Sequence, residues 1–220
     1  MKLKEALLAE FLGTAFLLAV VVGSGIMGER LAGGNAAIAL LANSVATGLG
    51  LAALILVFAP VSGAHFNPLV TLMMAARGDL AWSRVPGYLL AQSTGAVAGV
   101  IVTHGMFALP LLESASKPRS GLALMWSECI ATLGLLLVIH CVSRQGVAAV
   151  AAAVGCWITA AYWFTASTSF ANPAVTVARS LTDTFTGIRP ADVPGFIAGQ
   201  SAAALVMWAA LSAGRRQTAG

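Results

Sequence analysis

The chain has 220 residues, of which 59% are hydrophobic and only 9% are Asp, Glu, Lys or Arg. Soluble domains carry about 25% charged residues, so this composition cannot cover a surface that faces water. The net charge of +4 comes from basic residues scattered through the connections, without the cluster that marks a nucleic-acid surface. We therefore predict an integral membrane protein. Disorder, nucleic-acid binding and an ordinary soluble enzyme are all disfavoured.

Six apolar stretches are each long enough to cross a bilayer as one helix, which takes about 20 residues. They lie at roughly 6–27, 36–58, 83–108, 122–142, 147–166 and 192–213. The first could be mistaken for a signal peptide, but its length and the acidic Glu10 within it indicate a retained helix. Because these helices and their connections nearly fill the chain, we predict a single membrane domain over residues 1–220.

Two further apolar segments, 67–76 and 172–181, are shorter, and each starts at an Asn-Pro pair. Ten helical residues rise about 15 Å, which is half of the hydrocarbon core. Neither segment can therefore cross alone. A helix that stops near the midplane is tolerated only where it lines a cavity within the protein. We predict two re-entrant half-helices.

The basic residues of the connections set the orientation in the membrane. With six crossings both termini lie on one side, and that side carries the larger set: Lys2, Lys4, Arg77, Arg84, Arg144, Arg215 and Arg216. The opposite side carries the smaller set: Arg30, Lys117, Arg119, Arg179 and Arg189. This bias predicts that both termini are cytoplasmic.

Three segments of the first half recur in the second half, in the same order and at a nearly constant offset. They are Glu10-Phe-Leu-Gly-Thr14 with Glu128-Cys-Ile-Ala-Thr132, Asn67-Pro68-Leu69-Val70-Thr71 with Asn172-Pro173-Ala174-Val175-Thr176, and Gly87-Tyr-Leu-Leu-Ala-Gln92 with Gly195-Phe-Ile-Ala-Gly-Gln200. Each half contains three crossings, so the second must be inverted in the membrane. We predict inverted repeats over about 1–110 and 120–214, with a permeation or binding site at the midplane between the short segments.

The two Asn-Pro pairs are expected to cap the half-helices. Proline is favoured at the first helical position, and asparagine before it is a strong N-cap. The inverted repeat brings the helix starts at Asn67 and Asn172 face to face, each carrying about half a positive charge. A pore at this point would repel cations, while the two amides could donate hydrogen bonds to a neutral oxygen.

These motifs resemble those of the aquaporin/major intrinsic protein family. The similarity rests on Ser62-Gly-Ala-His65-Phe-Asn67-Pro68-Leu69-Val70-Thr71, on Asn172-Pro173-Ala174 and on the repeated glutamate and glutamine segments, so it extends over almost the whole chain. The resemblance implies an all-α membrane protein with six tilted transmembrane helices and two re-entrant half-helices. It also implies a homotetramer with one pore per subunit that conducts water or small uncharged solutes passively, without a cofactor.

The chain departs from the family pattern at the narrow outer filter. The first signature has Leu69 where alanine is usual, which is a mild variant. Most members carry an arginine immediately after the second signature, whereas this chain has Val175. By spacing, the resemblance gives Thr47, Ala160 and Ser169 as the other filter residues. Four small side chains would make a filter that is wider and weaker as a cation barrier, because the five N–H donors and the charge of arginine are missing.

An arginine-free filter followed by the segment 172–185 resembles a bacterial branch associated with arsenic resistance. The resemblance implies a channel in a bacterial inner membrane for neutral metalloid hydroxides such as arsenous acid, extending to methylated arsenicals, and for glycerol and water. Arg179 lies one helical turn beyond Val175, and two interpretations stay open. It either anchors the half-helix to carbonyls or headgroups, or it reaches back to the pore mouth.

The remaining polar residues are assigned roles by their place in the repeats. Glu10 and Glu128 lie inside apolar helices, where an ionisable group is usually functional. We expect each to accept hydrogen bonds from the loop before a half-helix, and a proton relay is the competing interpretation. His65 is expected to line the cytoplasmic approach to the pore, with a purely structural role as the alternative.

The cysteines and the other histidines do not form a site. The three cysteines lie singly within apolar stretches: Cys129, Cys141 and Cys156. His104 and His140 have no cysteine or carboxylate at ligand spacing, so we predict neither a disulfide nor a metal site.

Other classes of membrane protein fit less well. A coupled secondary transporter would need a cluster of acidic residues, and an intramembrane enzyme would need a nucleophile with its base or a metal. Neither pattern is present. Within the channel class, a glycerol facilitator and a water-selective pore remain the alternatives to a metalloid channel.

Overall fold

The computed structural model describes residues 2–218, with side chains described as far as Ala213. The side chains of Arg215 and Arg216, which entered the orientation argument, therefore lie outside the described part. The α-helices are α1 (Leu3–Leu31), α2 (Ala36–Ser62), α3 (Pro68–Arg77), α4 (Val85–Met106), α5 (Leu122–Val142), α6 (Val147–Phe164), α7 (Pro173–Ala178) and α8 (Val193–Thr218). No strand occurs between residues 2 and 218.

Six of these helices are long and apolar enough to cross a membrane. The other two, α3 and α7, have 10 and 6 residues. The prediction of six spanning helices and two half-helices is confirmed. The second half-helix is shorter than predicted, because its α-helix ends at Ala178 and continues as a 3₁₀ turn over Arg179–Leu181.

Helix ends are fixed by local capping. Asn35 caps α2 by accepting hydrogen bonds from the backbone N–H groups of Ala37 and Ile38. At the other end α2 stops at Gly63, whose φ of 90° is a left-handed conformation that glycine adopts without steric penalty. This stop releases the chain into the irregular segment that precedes the first half-helix.

The two halves of the chain pack in the same way. In the first half α1 contacts both α2 and α4, and in the second half α5 contacts both α6 and α8. A further contact between α2 and α6 joins the halves, and α3 meets α7 between them. The half-helices therefore lie inside the bundle, where the spanning helices shield their irregular loops from lipid.

Glycines allow the closest helix contacts. A Cβ atom at Gly95 of α4 would overlap the carbonyl oxygen of Phe11 in α1, and one at Gly99 would overlap that of Ala15. Gly199 of α8 approaches the Met125 carbonyl of α5 in the same way. Small residues at these points let the backbones touch, which is how membrane helices gain packing energy without a hydrophobic driving force between them.

Candidate functional site: a narrow cavity between the half-helices

The starts of the two half-helices face each other and are joined by reciprocal hydrogen bonds. Asn67 Nδ2 donates to the Ala171 carbonyl at 2.8 Å, and Asn172 Nδ2 donates to the Phe66 carbonyl at 2.7 Å. Each asparagine also caps its own helix, since Asn67 Oδ1 accepts from Leu69 N at 2.9 Å and Asn172 Oδ1 accepts from Ala174 N at 3.0 Å. These bonds fix both amides at the meeting point of the two positive helix ends.

Pro68 and Pro173 begin the half-helices, where the missing N–H of proline would have no intrahelical partner. Leu69 and Ala174 follow them and are buried. Each asparagine amide uses one N–H in the reciprocal bonds, and both asparagines line the central cavity. The second N–H of each amide is thus a donor for a molecule in the cavity.

The loops that lead into the half-helices have an unusual backbone. Ala64, Phe66, Ser169 and Ala171 all have φ values near +50°. Such conformations cost of order 1–3 kcal/mol for residues other than glycine and persist only where the surroundings impose them. A further positive φ precedes each pair, at Gly63 and at Thr168, so the two repeats share this backbone pattern residue by residue.

Two buried glutamates impose that conformation. Glu10 accepts hydrogen bonds from the N–H groups of His65 at 2.9 Å and Phe66 at 2.7 Å. Glu128 accepts from the N–H groups of Phe170 at 2.9 Å and Ala171 at 2.8 Å. These N–H groups point away from the cavity and towards the carboxylates.

A second layer of the network repeats in both halves. Gln92 donates to Glu10 at 2.8 Å and to the Thr71 hydroxyl at 2.8 Å. Gln200 donates to Glu128 at 2.6 Å and to the Thr176 hydroxyl at 2.9 Å. Both carboxylates thus accept hydrogen bonds from a loop backbone and from a glutamine side chain, as expected for loop-supporting residues.

A cavity of about 90 Å³ runs past the two asparagines. Most of its wall is apolar, with α1, α2, α5 and α6 each contributing aliphatic side chains such as Leu17, Ile55, Leu135 and Ile158. The loop segments 63–67 and 169–172 form the polar part of the wall. These two loop segments form a polar strip of carbonyl oxygens and amide donors, and the rest of the wall offers a solute mainly hydrocarbon.

The structure brings three of the four expected filter residues to this cavity. Thr47, Ser169 and Val175 line it, and each is buried. The Ser169 hydroxyl is buried and has no hydrogen-bond partner within residues 2–213. Ala160 is different, because it is exposed on the outer side of α6 and does not line the cavity.

Tyr162 takes the place on α6 that was expected for Ala160. Val154, Ile158 and Tyr162 recur every four residues and form the face of α6 that lines the cavity. The Tyr162 hydroxyl donates to Thr47 Oγ1 at 3.3 Å across the wall. A displacement of two residues turns a helix by about 200°, so Ala160 points to the opposite side. The wall here carries an aromatic ring rather than a methyl group.

Arg179 reaches the cavity and also anchors the chain. Its side chain is buried, lines the cavity, and stacks on Phe170 with Cζ 3.3 Å from the ring centroid. Its Nε donates to the Thr186 carbonyl. Both interpretations left open by the sequence therefore apply, because Arg179 binds a loop carbonyl and also places a cation on the cavity wall. We call this end of the cavity, around Phe170 and Arg179, the mouth.

His65 lines the cavity on the side of the termini. Its Nδ1 lies 3.1 Å from Thr71 Oγ1, and its ring packs against Tyr88 with centroids 5.2 Å apart. No group of three or more His, Cys, Asp or Glu side chains within the described residues could hold a metal ion.

Sequence reasoning missed three residues near the mouth: Tyr162, Phe170 and Arg119. The four-residue spacing of Val154, Ile158 and Tyr162 would have found the first. Nothing local pointed to Arg119, which lies in the connection between α4 and α5 and was counted only as a loop charge.

Comparisons with known proteins agree with this geometry. The family model "Major intrinsic protein" matches residues 1–145. The chain is 50% identical over 205 residues to aquaglyceroporin AqpS of Rhizobium meliloti, covering 91% of this chain and 88% of that protein. The chain belongs to the major intrinsic protein family.

A second relative matches over a shorter region, and a solved structure matches over almost the whole chain. A probable glycerol uptake facilitator protein of Thermotoga maritima is 36% identical over 122 residues, covering 53% of this chain and 49% of that protein. The crystal structure of the aquaglyceroporin from Plasmodium falciparum superposes with a TM-score of 0.74 at 21% identity and covers 94% of each chain. At this identity the superposition shows the fold alone. Relatives and fold are those of passive membrane channels, so the prediction of a channel and not an enzyme is confirmed.

Proposed function

We propose that this chain is a passive channel for small uncharged solutes that carry several hydroxyl groups, including arsenous acid, methylated arsenicals and glycerol, as well as water. The observation that carries the proposal is Val175, a buried aliphatic residue on the cavity wall directly after the second Asn-Pro-Ala signature. The 50% identity to an aquaglyceroporin supports the same class of solute.

The geometry supports a simple mechanism of passage. Carbonyl oxygens of the strip accept hydrogen bonds from solute hydroxyls, and the free N–H groups of Asn67 and Asn172 donate to solute oxygens. Arsenous acid and glycerol present hydroxyls around a compact centre, so they can exchange water for this strip. The aliphatic wall gives charged species no compensation for lost hydration.

Two features of the wall bear on solute size. Val175 gives the wall a smaller side chain than an arginine would, while Tyr162 gives it an aromatic ring. The Tyr162 ring argues for a narrower opening than four small residues would leave. A glycerol facilitator is therefore the second candidate, and the similarity to a probable glycerol uptake facilitator protein favours it over a water-selective pore.

We further propose that the channel works as a homotetramer in a bacterial inner membrane with both termini in the cytoplasm, and that residues 1–220 form one domain with inverted repeats. The supporting observations are the 50% identity to a bacterial protein, the basic bias of the connections, and the matched hydrogen bonds of the two halves. Solutes then move down their gradients in either direction.

The test is the permeability of purified protein in liposomes, measured by stopped-flow light scattering with water, glycerol and arsenous acid. The wild type should pass all three faster than empty vesicles. Val175→Arg should lower glycerol and arsenous acid permeability by about tenfold or more, which corresponds to about 1.4 kcal/mol of added barrier. Water should change by less than the larger solutes.

Val175→Leu is the matched control, because it adds bulk without charge or donors. A smaller loss than with arginine is expected. If Val175→Arg carries glycerol and arsenous acid as well as the wild type does, Val175 is not a filter residue. If the wild type passes water but neither solute, a water channel replaces the proposal.

A further inference from the structure

Two arginines from distant parts of the sequence share one aromatic ring at the mouth of the cavity. Arg179 Cζ lies 3.3 Å from the centroid of the Phe170 ring, and Arg119 Cζ lies 5.1 Å from it. Phe170 itself lines the cavity. Arg119 belongs to the connection between α4 and α5, on the side of the membrane opposite to the termini.

We propose that Lys117, Arg119 and Arg179 form a cation cluster that supplies the charge barrier missing at Val175, and that Arg119 is its specificity-determining member outside the signature loops. The proposal rests on the proposed function as a channel for uncharged solutes. It assigns the exclusion of hydronium and metal cations partly to the connection between α4 and α5, and not to the half-helix ends alone.

The guanidinium of Arg119 is held firmly by neutral groups. Its Nε donates to the Gly187 carbonyl at 2.9 Å, and its Nη1 donates to the Ser167 carbonyl at 3.2 Å and to Thr168 Oγ1 at 3.4 Å. The Nη2 atom has no hydrogen-bond partner among the described side chains and backbone. Within residues 2–213, no carboxylate forms a salt bridge with this guanidinium beside the loop that carries Ser169, and burial lowers the pKa of Arg119.

Three carboxylates near the cluster have other partners, namely Glu128, Asp192 and Asp183, whereas Glu29 is exposed and acts on Lys117. Asp192 forms a salt bridge with Arg189 at 3.0 Å and accepts the backbone N–H of Arg119 at 2.8 Å. Asp183 is exposed and accepts two bonds from Ser116, at 2.8 Å from its N–H and 2.9 Å from its hydroxyl. Within residues 2–213, neither Arg119 nor Arg179 forms a salt bridge.

Lys117 adds the third charge. Its Nζ donates to the Phe185 carbonyl at 2.7 Å and lies 4.6 Å from the centroid of the Phe185 ring. Burial and the nearby Arg119 and Arg179 together lower the pKa of Lys117, while Glu29 acts in the opposite direction. Lys117 and Arg179 bind the carbonyls of the adjacent residues Phe185 and Thr186, and Lys117 is two residues before Arg119, so the three cations are neighbours. A fourth cation that enters the mouth would meet the same repulsion.

The donors of the cluster also suit oxygen-rich solutes. The two Nη atoms of Arg179 have no hydrogen-bond partner among the described residues, and this side chain lines the cavity. A solute hydroxyl or acid oxygen can accept from them before it enters the narrow part. The cluster thus repels cations, and the Nη atoms of Arg179 attract the oxygens of uncharged solutes.

The experiment compares proton leak with neutral-solute flux in the same proteoliposomes. Vesicles loaded with a pH-sensitive dye report proton entry under a valinomycin-clamped potassium potential, and light scattering reports glycerol and water. Arg119→Gln should raise proton leak on the order of tenfold, which is the effect that a unit charge exerts over roughly 10 Å at an effective dielectric constant of about 20. Glycerol and water permeability should stay within about twofold, since Arg119 does not line the cavity.

Two further variants separate charge from structure. Arg119→Lys keeps the charge and should restore low proton leak, which a merely structural role would not predict. Arg30→Gln removes one charge from the same side at an exposed position on α1, and should leave proton leak unchanged.

Unchanged proton leak in folded Arg119→Gln would overturn the proposal. If that variant does not reach the vesicles, Lys117→Gln decides, because it breaks a single hydrogen bond and removes one charge of the cluster. A rise in proton leak then supports the proposal, and no rise overturns it. A wild type without glycerol or arsenous acid flux would instead reject the proposed function.

Discussion

The buried carboxylate of Glu128 offers the sharpest test of how the filter loop is held. It is completely buried in α5, and its two oxygens accept three hydrogen bonds from Phe170 N–H, Ala171 N–H and the Gln200 amide, at 2.9, 2.8 and 2.6 Å. Glu128→Gln keeps the shape of the side chain but replaces one oxygen with an amide donor. At least one buried donor then faces another donor.

The expected loss of stability follows from these three bonds. A hydrogen bond to a charged group contributes about 1.5–3 kcal/mol, a neutral one about 1 kcal/mol, and a buried donor left unpaired costs about 1–3 kcal/mol. One bond lost and two weakened give about 3–5 kcal/mol. For a chain of this size, Tm changes by about 2–4 °C for each kcal/mol, so Tm should fall by roughly 6–20 °C.

Thermal unfolding in one detergent at one heating rate, followed by tryptophan fluorescence, measures this difference. Glu10→Gln should show at least as large a loss, because Glu10 accepts the corresponding three bonds in the other loop and a fourth from the Ser62 hydroxyl at 2.6 Å. Glu5→Gln is the matched control, since Glu5 is exposed and changes there are within about 0.5 kcal/mol. If Glu128→Gln has the same Tm as Glu5→Gln, the Glu128 carboxylate does not support the loop, and the result favours the proton-relay alternative.

Three other outcomes are expected. Gly95→Ala should destabilise the protein by about 1–3 kcal/mol because its methyl group would overlap a carbonyl of α1, whereas Gly105→Ala, with open space around it, should stabilise by up to about 1 kcal/mol in the same thermal assay. Tyr162→Ala should raise glycerol permeability in liposomes, whereas Ala160→Leu should leave it unchanged, and equal effects would mean that α6 is rotated relative to the structure. Asn172→Ala should lower stability by about 1 kcal/mol for the lost cap and by a similar amount for the lost bond to the other loop. A decrease in Tm of less than about 2 °C would contradict the reciprocal contact.

The sequence by itself determined the membrane class, the spanning helices and the half-helices, because these depend on local composition and length. It also located Asn67, Asn172, Glu10 and Glu128, since each belongs to a short motif that occurs twice. A cap acts within one helical turn, and a buried carboxylate is conspicuous in an apolar segment. Such features are readable without knowing how the helices pack.

Only the tertiary structure decided the composition of the mouth. The choice between Ala160 and Tyr162 depends on the rotation of α6 about its axis, which is set by packing against α2 and α5 and not by α6 alone. Arg119 reaches Phe170 because a connection folds back over the second loop, a contact between residues 51 positions apart in the chain. Long-range contacts of this kind leave no periodic pattern in the sequence. The number of basic residues in the connections could therefore be read from the sequence, but their position at the mouth could not.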